Sequence, residues 1–191
     1  EPGLAFRGIS WERACMKRLC IMRHAKSDWS DPTAPDSQRT LNERGRKSAA
    51  FLADLIVERG WTPERALCST AVRARSTIEP LADKLGSGCL IDYRDDLYMA
   101  MPDGLLDIIK AQDDACSTLL IVAHNPGLEM LGVQLADDAS AEAAAKMEDH
   151  FPTGTLVVFE FKTDTWGKIS PGSGHVAFFG RPRELMANTR V

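Results

Sequence analysis

Four short apolar runs recur along the chain: "RLCIM" at 18–22, "RALCS" at 65–69, "CLIDY" at 89–93 and "TLLIVAHN" at 118–125. Stretches of helical period separate them. A chain that returns to a strand after each helix has few ways to bury both, and the commonest is a mainly parallel sheet with helices packed on both faces. The pattern therefore predicts an α/β, three-layer sandwich. The helices expected between the strands are equally readable. Thr40, Leu41, Asn42 and Glu43 have the form of a capping box, which opens a helix running to about Arg59 with Gly60 as its stop. Its apolar face is Ala49, Leu52, Ala53 and Ile56. A second helix is expected over 70–86, with a kink or break at Pro80, a third over 103–112, and a fourth from Pro126. Residues 141–151 read as helical or loosely ordered. "GTLVVFEF" and "HVAFFG", joined through "KTDTWGK", read as a terminal antiparallel pair.

At 191 residues, 44% hydrophobic and 26% charged, the chain suits one globular domain with a real core, placed at 16–191. No apolar run is long enough for a transmembrane helix, and no export signal opens the chain, so a cytoplasmic protein is expected. Residues 1–15 show no clean period and read as an N-terminal extension or a cloning remnant. The five cysteines are scattered, with no CxxC pair, as expected of reduced thiols and not of a zinc cluster. The net charge of −4 hides an asymmetry: residues 16–75 carry 12 Lys/Arg against 7 Asp/Glu, and residues 76–191 carry 9 against 18. A local anion site fits the basic part. A nucleic-acid footprint does not fit a pI of 5.6, and neither a nucleic-acid nor a membrane partner is expected.

Two of the apolar runs end in histidine. The first runs into Arg23-His24 and the fourth into His124-Asn125. In parallel sheets ligands bind outside the carboxyl ends of the strands, so neighbouring strands would bring both imidazoles to one rim. The second strand ends at Ser69, and Arg73 and Arg75 follow in the first turns of the next helix. Taken singly, His24 is as readily a packed residue as a functional one, and His150 and His175 have no comparable context. Two histidines and two arginines converging on one edge suit phosphoryl transfer. Guanidinium groups hold phosphate oxygens in a fork, and a neutral imidazole nitrogen can attack phosphorus. Zinc would need more ligands, and neighbouring arginines oppose a cation.

"LCIMRHAKSDW", "CSTAVRARST" and "LLIVAHNPGLEML" together resemble the three signature blocks of the histidine phosphatase superfamily, which includes the phosphoglycerate mutases; Ala25 stands where a glycine is usual. The "RTLNERG" segment and the short length resemble the SixA-type phosphohistidine phosphatases. The likeness covers about residues 17–161. It implies a phosphoglycerate mutase-like fold, a phosphohistidine intermediate on His24, and His124 stabilising the transition state. It also implies phosphate binding by Arg23, Arg73 and Arg39, with no metal or cofactor. Larger members use a carboxylic acid after the third strand to protonate the leaving group. Asp95, Asp96 and Asp103 lie in that region, and Asp96 is nearest the expected place. A phosphohistidine leaves as an imidazole and needs less acid assistance than an alkoxide. The expected substrate is thus a phosphohistidine-bearing protein, in signalling. The alternatives are a small phosphate ester, turned over by a phosphatase or mutase on the same residues, and a non-catalytic phospho-ligand binding module.

Overall fold

The computed structural model describes residues 16–188; the expected extension at 1–15, and Cys15 within it, lie outside the described residues. Six strands form one sheet: β1 (Lys17–Arg23), β2 (Arg65–Ser69), β3 (Leu90–Arg94), β4 (Thr118–Ala123), β5 (Leu156–Phe161) and β6 (His175–Gly180). Their order is β3-β2-β4-β1-β5-β6. The first four in that order are mutually parallel. β5 runs antiparallel to β1, and β6 antiparallel to β5.

The helices are α1 (Glu43–Glu58), α2 (Val72–Leu85), α3 (Pro102–Lys110), α4 (Gly127–Leu135), α5 (Ala141–Asp149) and α6 (Pro182–Asn188). Strand alternation sorts them into layers. Leu19, Ile21, Leu119, Ile121, Val157 and Phe159 face α3, α4 and α5 through Leu106, Ile109, Leu131 and Met147. Cys20, Met22, Leu120, Val122 and Val158 face α1 and α2 through Leu52, Ile56, Ala74 and Ile78. The three-layer expectation holds, and β1 and β4, at the centre of the sheet, are apolar on both faces as buried parallel strands require.

Several local expectations change. The cap of α1 is Asn42, whose Oδ1 accepts from the Gly45 N–H at 2.9 Å, and not Thr40. The helix therefore starts later than the capping-box pattern indicates. Thr40 instead belongs to a neck: its carbonyl accepts from Asp28 N–H, and Ser27 bridges Leu41. Pro80 does not break α2, which runs through to Leu85. Pro126 precedes α4 as its cap, after a cis Asn125–Pro126 bond, and does not occupy the first helical position. The "KTDTWGK" stretch is more than a turn, because Trp166 is fully buried and donates Nε1–H to the Cys116 carbonyl at 2.8 Å. Helix α6 has no counterpart in the sequence pattern. Among the described residues the cysteines are free, and no helix is long and apolar enough to cross a membrane.

Candidate active site

Strand register sets the site. β1 and β4 pair with Arg23 opposite Ala123, and the His24 N–H donates to the Ala123 carbonyl at 3.1 Å. The chain thus leaves both strands at the same level, and the two imidazoles stand side by side with ring centroids 5.1 Å apart. On the other flank of β4, β2 ends at Ser69, whose Oγ lies 2.8 Å from His124 Nε2. Helix α2 begins three residues later, so its second residue, Arg73, is delivered under both rings and is only 5% exposed.

The hydrogen bonds fix the tautomers. His24 Nδ1–H donates to the Ala25 carbonyl at 2.8 Å, which leaves Nε2 to accept from Arg73 Nε–H at 3.2 Å. His124 donates Nε2–H to Ser69 Oγ and turns Nδ1 to Arg73 Nη2 at 3.3 Å. One guanidinium edge therefore faces a bare nitrogen on each ring. Thr77, one turn along α2, completes the frame: its hydroxyl donates to the Arg73 carbonyl at 2.6 Å and accepts the Ala25 N–H at 2.9 Å. Gly45 lets α1 approach the chain just past His24 closely, since a Cβ there would stand 2.1 Å from the Lys26 carbonyl oxygen.

Burial and the cationic neighbours keep both rings neutral. Desolvation first, then Arg73 and Arg23, lower His24 to about 4, against the pull of the Ala25 carbonyl and Asp36. Desolvation, His24 and Arg73 lower His124 to about 3. Arg23 is half-buried, donates Nη1–H to the Phe151 carbonyl at 2.7 Å, and leaves a buried Nε–H without a partner. An unpaired buried donor on a cation that couples to His24 and Arg73 could serve an anion bound there.

The sequence candidates separate at this point. His24, His124 and Arg73 form one bonded group, and Arg23 couples to it electrostatically. Arg39 is buried in the loop from 26 to 39, donates to the Asp31 carbonyl at 3.0 Å and lies over the exposed ring of Trp29 at 4.1 Å; its Nε–H is also unpartnered, and it makes no hydrogen bond to the histidines or Arg73. Asp96 is not with them. Its carboxylate is forked onto Arg94 at 2.5 and 2.9 Å and is half exposed. The carboxylate that meets Arg73 is Asp36, whose Oδ2 accepts from Arg73 Nη2 at 2.8 Å and from the Tyr98 hydroxyl at 2.7 Å. Tyr98 presents its ring edge-on to His124 at 5.3 Å. Neither Asp36 nor Tyr98 carries a sequence signal beyond lying three residues before Arg39 and two after Asp96.

Neutral imidazoles, a buried guanidinium shared between them and an unfilled N–H donor on Arg23 are what a bound anion and an attacking ring nitrogen would require. Comparison with known proteins agrees with that chemistry. The sequence profile of the histidine phosphatase superfamily (branch 1) matches residues 19–98. A Mycobacterium tuberculosis (strain H37Rv) protein, itself uncharacterized, is 32% identical over 85% of this chain and 100% of its own. A crystal structure from Agrobacterium tumefaciens, provisionally named phosphohistidine phosphatase SixA, is 30% identical over 87% of this chain and 98% of that one, with a TM-score of 0.72. A similarly named structure from Nakamurella multipartita, 24% identical over 87% and 96%, superposes with a TM-score of 0.74. On these matches, the chain belongs to the histidine phosphatase superfamily.

Proposed function

We propose that this chain hydrolyses phosphohistidine on a partner protein, through a phosphoenzyme formed on His24, without a metal. The observation that carries the reading is the Arg73 edge shared between two neutral imidazoles. His24 Nε2 holds an unprotonated lone pair at neutral pH, aimed at the place where Arg73 would hold phosphoryl oxygens. In the first half-reaction that lone pair forms a P–N bond and the substrate's leaving atom takes the electron pair of the bond that breaks. In the second, water attacks phosphorus, the His24–P bond breaks and inorganic phosphate leaves. Arg73 transfers its Nε–H and Nη2–H from the rings to the phosphoryl oxygens, Arg23 supplies its unpartnered donor, and His124 flanks the transferring group. Arg39 reaches the same phosphate by a rotation away from the Asp31 carbonyl.

A metal would compete with arginines for the same space, and among the described residues no three His, Cys, Asp or Glu side chains gather as ligands. The acidic chain as a whole, with free thiols among the described residues, fits a cytoplasmic role in signalling. The test is a phosphoenzyme trap. Brief incubation with labelled phosphohistidine peptide or p-nitrophenyl phosphate, quenched in base, should label the protein with the acid-labile, base-stable behaviour of an N–P bond. His24→Ala should abolish the label and lower turnover by at least ~10⁴-fold. Undiminished turnover in His24→Ala removes the nucleophile assignment.

A further inference from the structure

One carboxylate at the site has no part in the chemistry above. Asp36 Oδ2 receives Arg73 and Tyr98, while Oδ1 has no hydrogen-bond partner among the described residues, and the side chain is 50% exposed. Arg73 has two usable edges. The edge made by Nε–H and one N–H of Nη2 faces the histidines, and a phosphoryl group would take that pair. Nη1 and the second N–H of Nη2 are held by the Asp36 carbonyl and carboxylate. The carboxylate therefore stands one guanidinium nitrogen away from where the phosphoryl oxygens would sit, and is half exposed where Arg73 is buried.

The charged and titratable groups facing it are Arg73, Tyr98, His124 and His24. The Tyr98 hydroxyl and Arg73 hold its carboxyl below the usual carboxylate range, and the Tyr98 phenol is correspondingly pushed up. Asp36 is therefore ionised at neutral pH and has no proton to give a departing alkoxide, and a fixed anion repels a phosphate-ester dianion. An N-phosphorylated imidazole poses the opposite problem. It departs as neutral imidazole only when its second ring nitrogen is protonated; otherwise it must leave as a high-energy imidazolate. A neighbouring carboxylate favours the protonated ring.

The geometry points to Asp36 as the leaving-group residue of this site: its carboxylate accepts the N–H of a phosphorylated imidazole and so selects N–P over O–P substrates. This rests on the phosphatase reading above. In the step, the His24 Nε2 lone pair bonds to phosphorus as the substrate's P–N bond breaks. That bond's electron pair stays on the substrate's ring nitrogen. The second ring nitrogen keeps its proton, shared with Asp36, and the ring leaves neutral. Tyr98 and Arg73 hold the carboxylate in place.

The experiment compares kcat/KM for a phosphohistidine peptide and for p-nitrophenyl phosphate, across pH, in the wild type and Asp36→Asn. Asparagine keeps the shape and an accepting oxygen but removes the charge. The expected result is a fall of at least tenfold in the peptide-to-aryl preference, with the aryl rate rising and the alkaline limb of the peptide profile moving to lower pH. Equal losses on both substrates with an unmoved profile would reduce Asp36 to a support for Arg73 and overturn the inference. Wild-type protein that cleaves only the aryl ester also overturns it and leaves the phosphatase reading standing. Protein inert to both, with no label on His24, overturns that reading and this inference with it.

Discussion

Two arginine–aspartate pairs sit at the carboxyl end of the same sheet, Arg73 with Asp36 and Arg94 with Asp96. Their contact distances are alike. Their surroundings are not. Arg94 is 32% exposed at the end of an edge strand and closes both arms of its fork on one carboxylate. Its free edge has only Asp92 nearby, 3.8 Å from Nη1, and no imidazole, and water screens the pair. The Arg73 side chain is 6% exposed, gives only one edge to its aspartate, and aims the other at two imidazoles that burial keeps neutral. An ion pair becomes part of a site when burial raises the cost of leaving donors unfilled and when geometry withholds some of them from the internal partner.

The sharpest way to break this contrast is to truncate each arginine. Arg73→Ala should lower kcat for any phosphate substrate by about 10²–10³-fold, the usual cost of one preorganised donor set at an oxyanion. Arg73→Lys should recover little of it, because a point charge cannot span both rings. Steady-state kinetics at saturating substrate decide this, and an Arg73→Ala enzyme within a few-fold of wild type would erase the distinction.

A second test uses proton linkage. Both histidines titrate lower when folded, about 4 and 3, than their ordinary 6.5, so the unfolded chain binds more protons between those values. Stability contributed by the neutral rings is complete above pH 6.5 and is lost as pH falls toward 4. The slope approaches about 1.4 kcal/mol per pH unit for each ring. Denaturant melts of the wild type and His124→Gln at pH 7, 5.5 and 4.5 should show a shallower decline in the variant. Parallel declines would mean that burial of the pair is not what sets the rings' charge.

The smallest effect belongs to the exposed pair. Asp96→Asn should change kcat/KM by less than about twofold and stability by less than about 1 kcal/mol. A loss comparable to that of Arg73→Ala would return the leaving-group role to Asp96, where sequence order alone points.

The two aspartates also show how much a linear reading can reach. The sheet, its layers and the meeting of His24, His124 and Arg73 are legible because each depends on a short-range pattern: apolar strands of period two, and polar residues one or a few steps past their ends. Asp36 is not, because a loop with two prolines has no period, and its path is set by contacts 37 and 62 residues away, with Arg73 and Tyr98. The start of α1 escapes for a related reason. Thr40 and Asn42 are both good caps by type, and the strand-like pairing of Ser27 with Leu41 removes Thr40 from the competition. Trp166 reads as part of a turn because a single buried anchor leaves no trace in local hydropathy.

That same Ser27–Leu41 pairing, with Asn42 N–H on the Lys26 carbonyl, cinches the neck of the segment that carries Asp36, Arg39 and Trp29. What lies beyond the knot is held a second time, by polar contacts and not by apolar packing, where Asp36 receives Arg73 and Tyr98. Residues 29–38 are therefore no independent cassette: exchanging them would also release the second edge of Arg73 and so disturb the guanidinium that both imidazoles share.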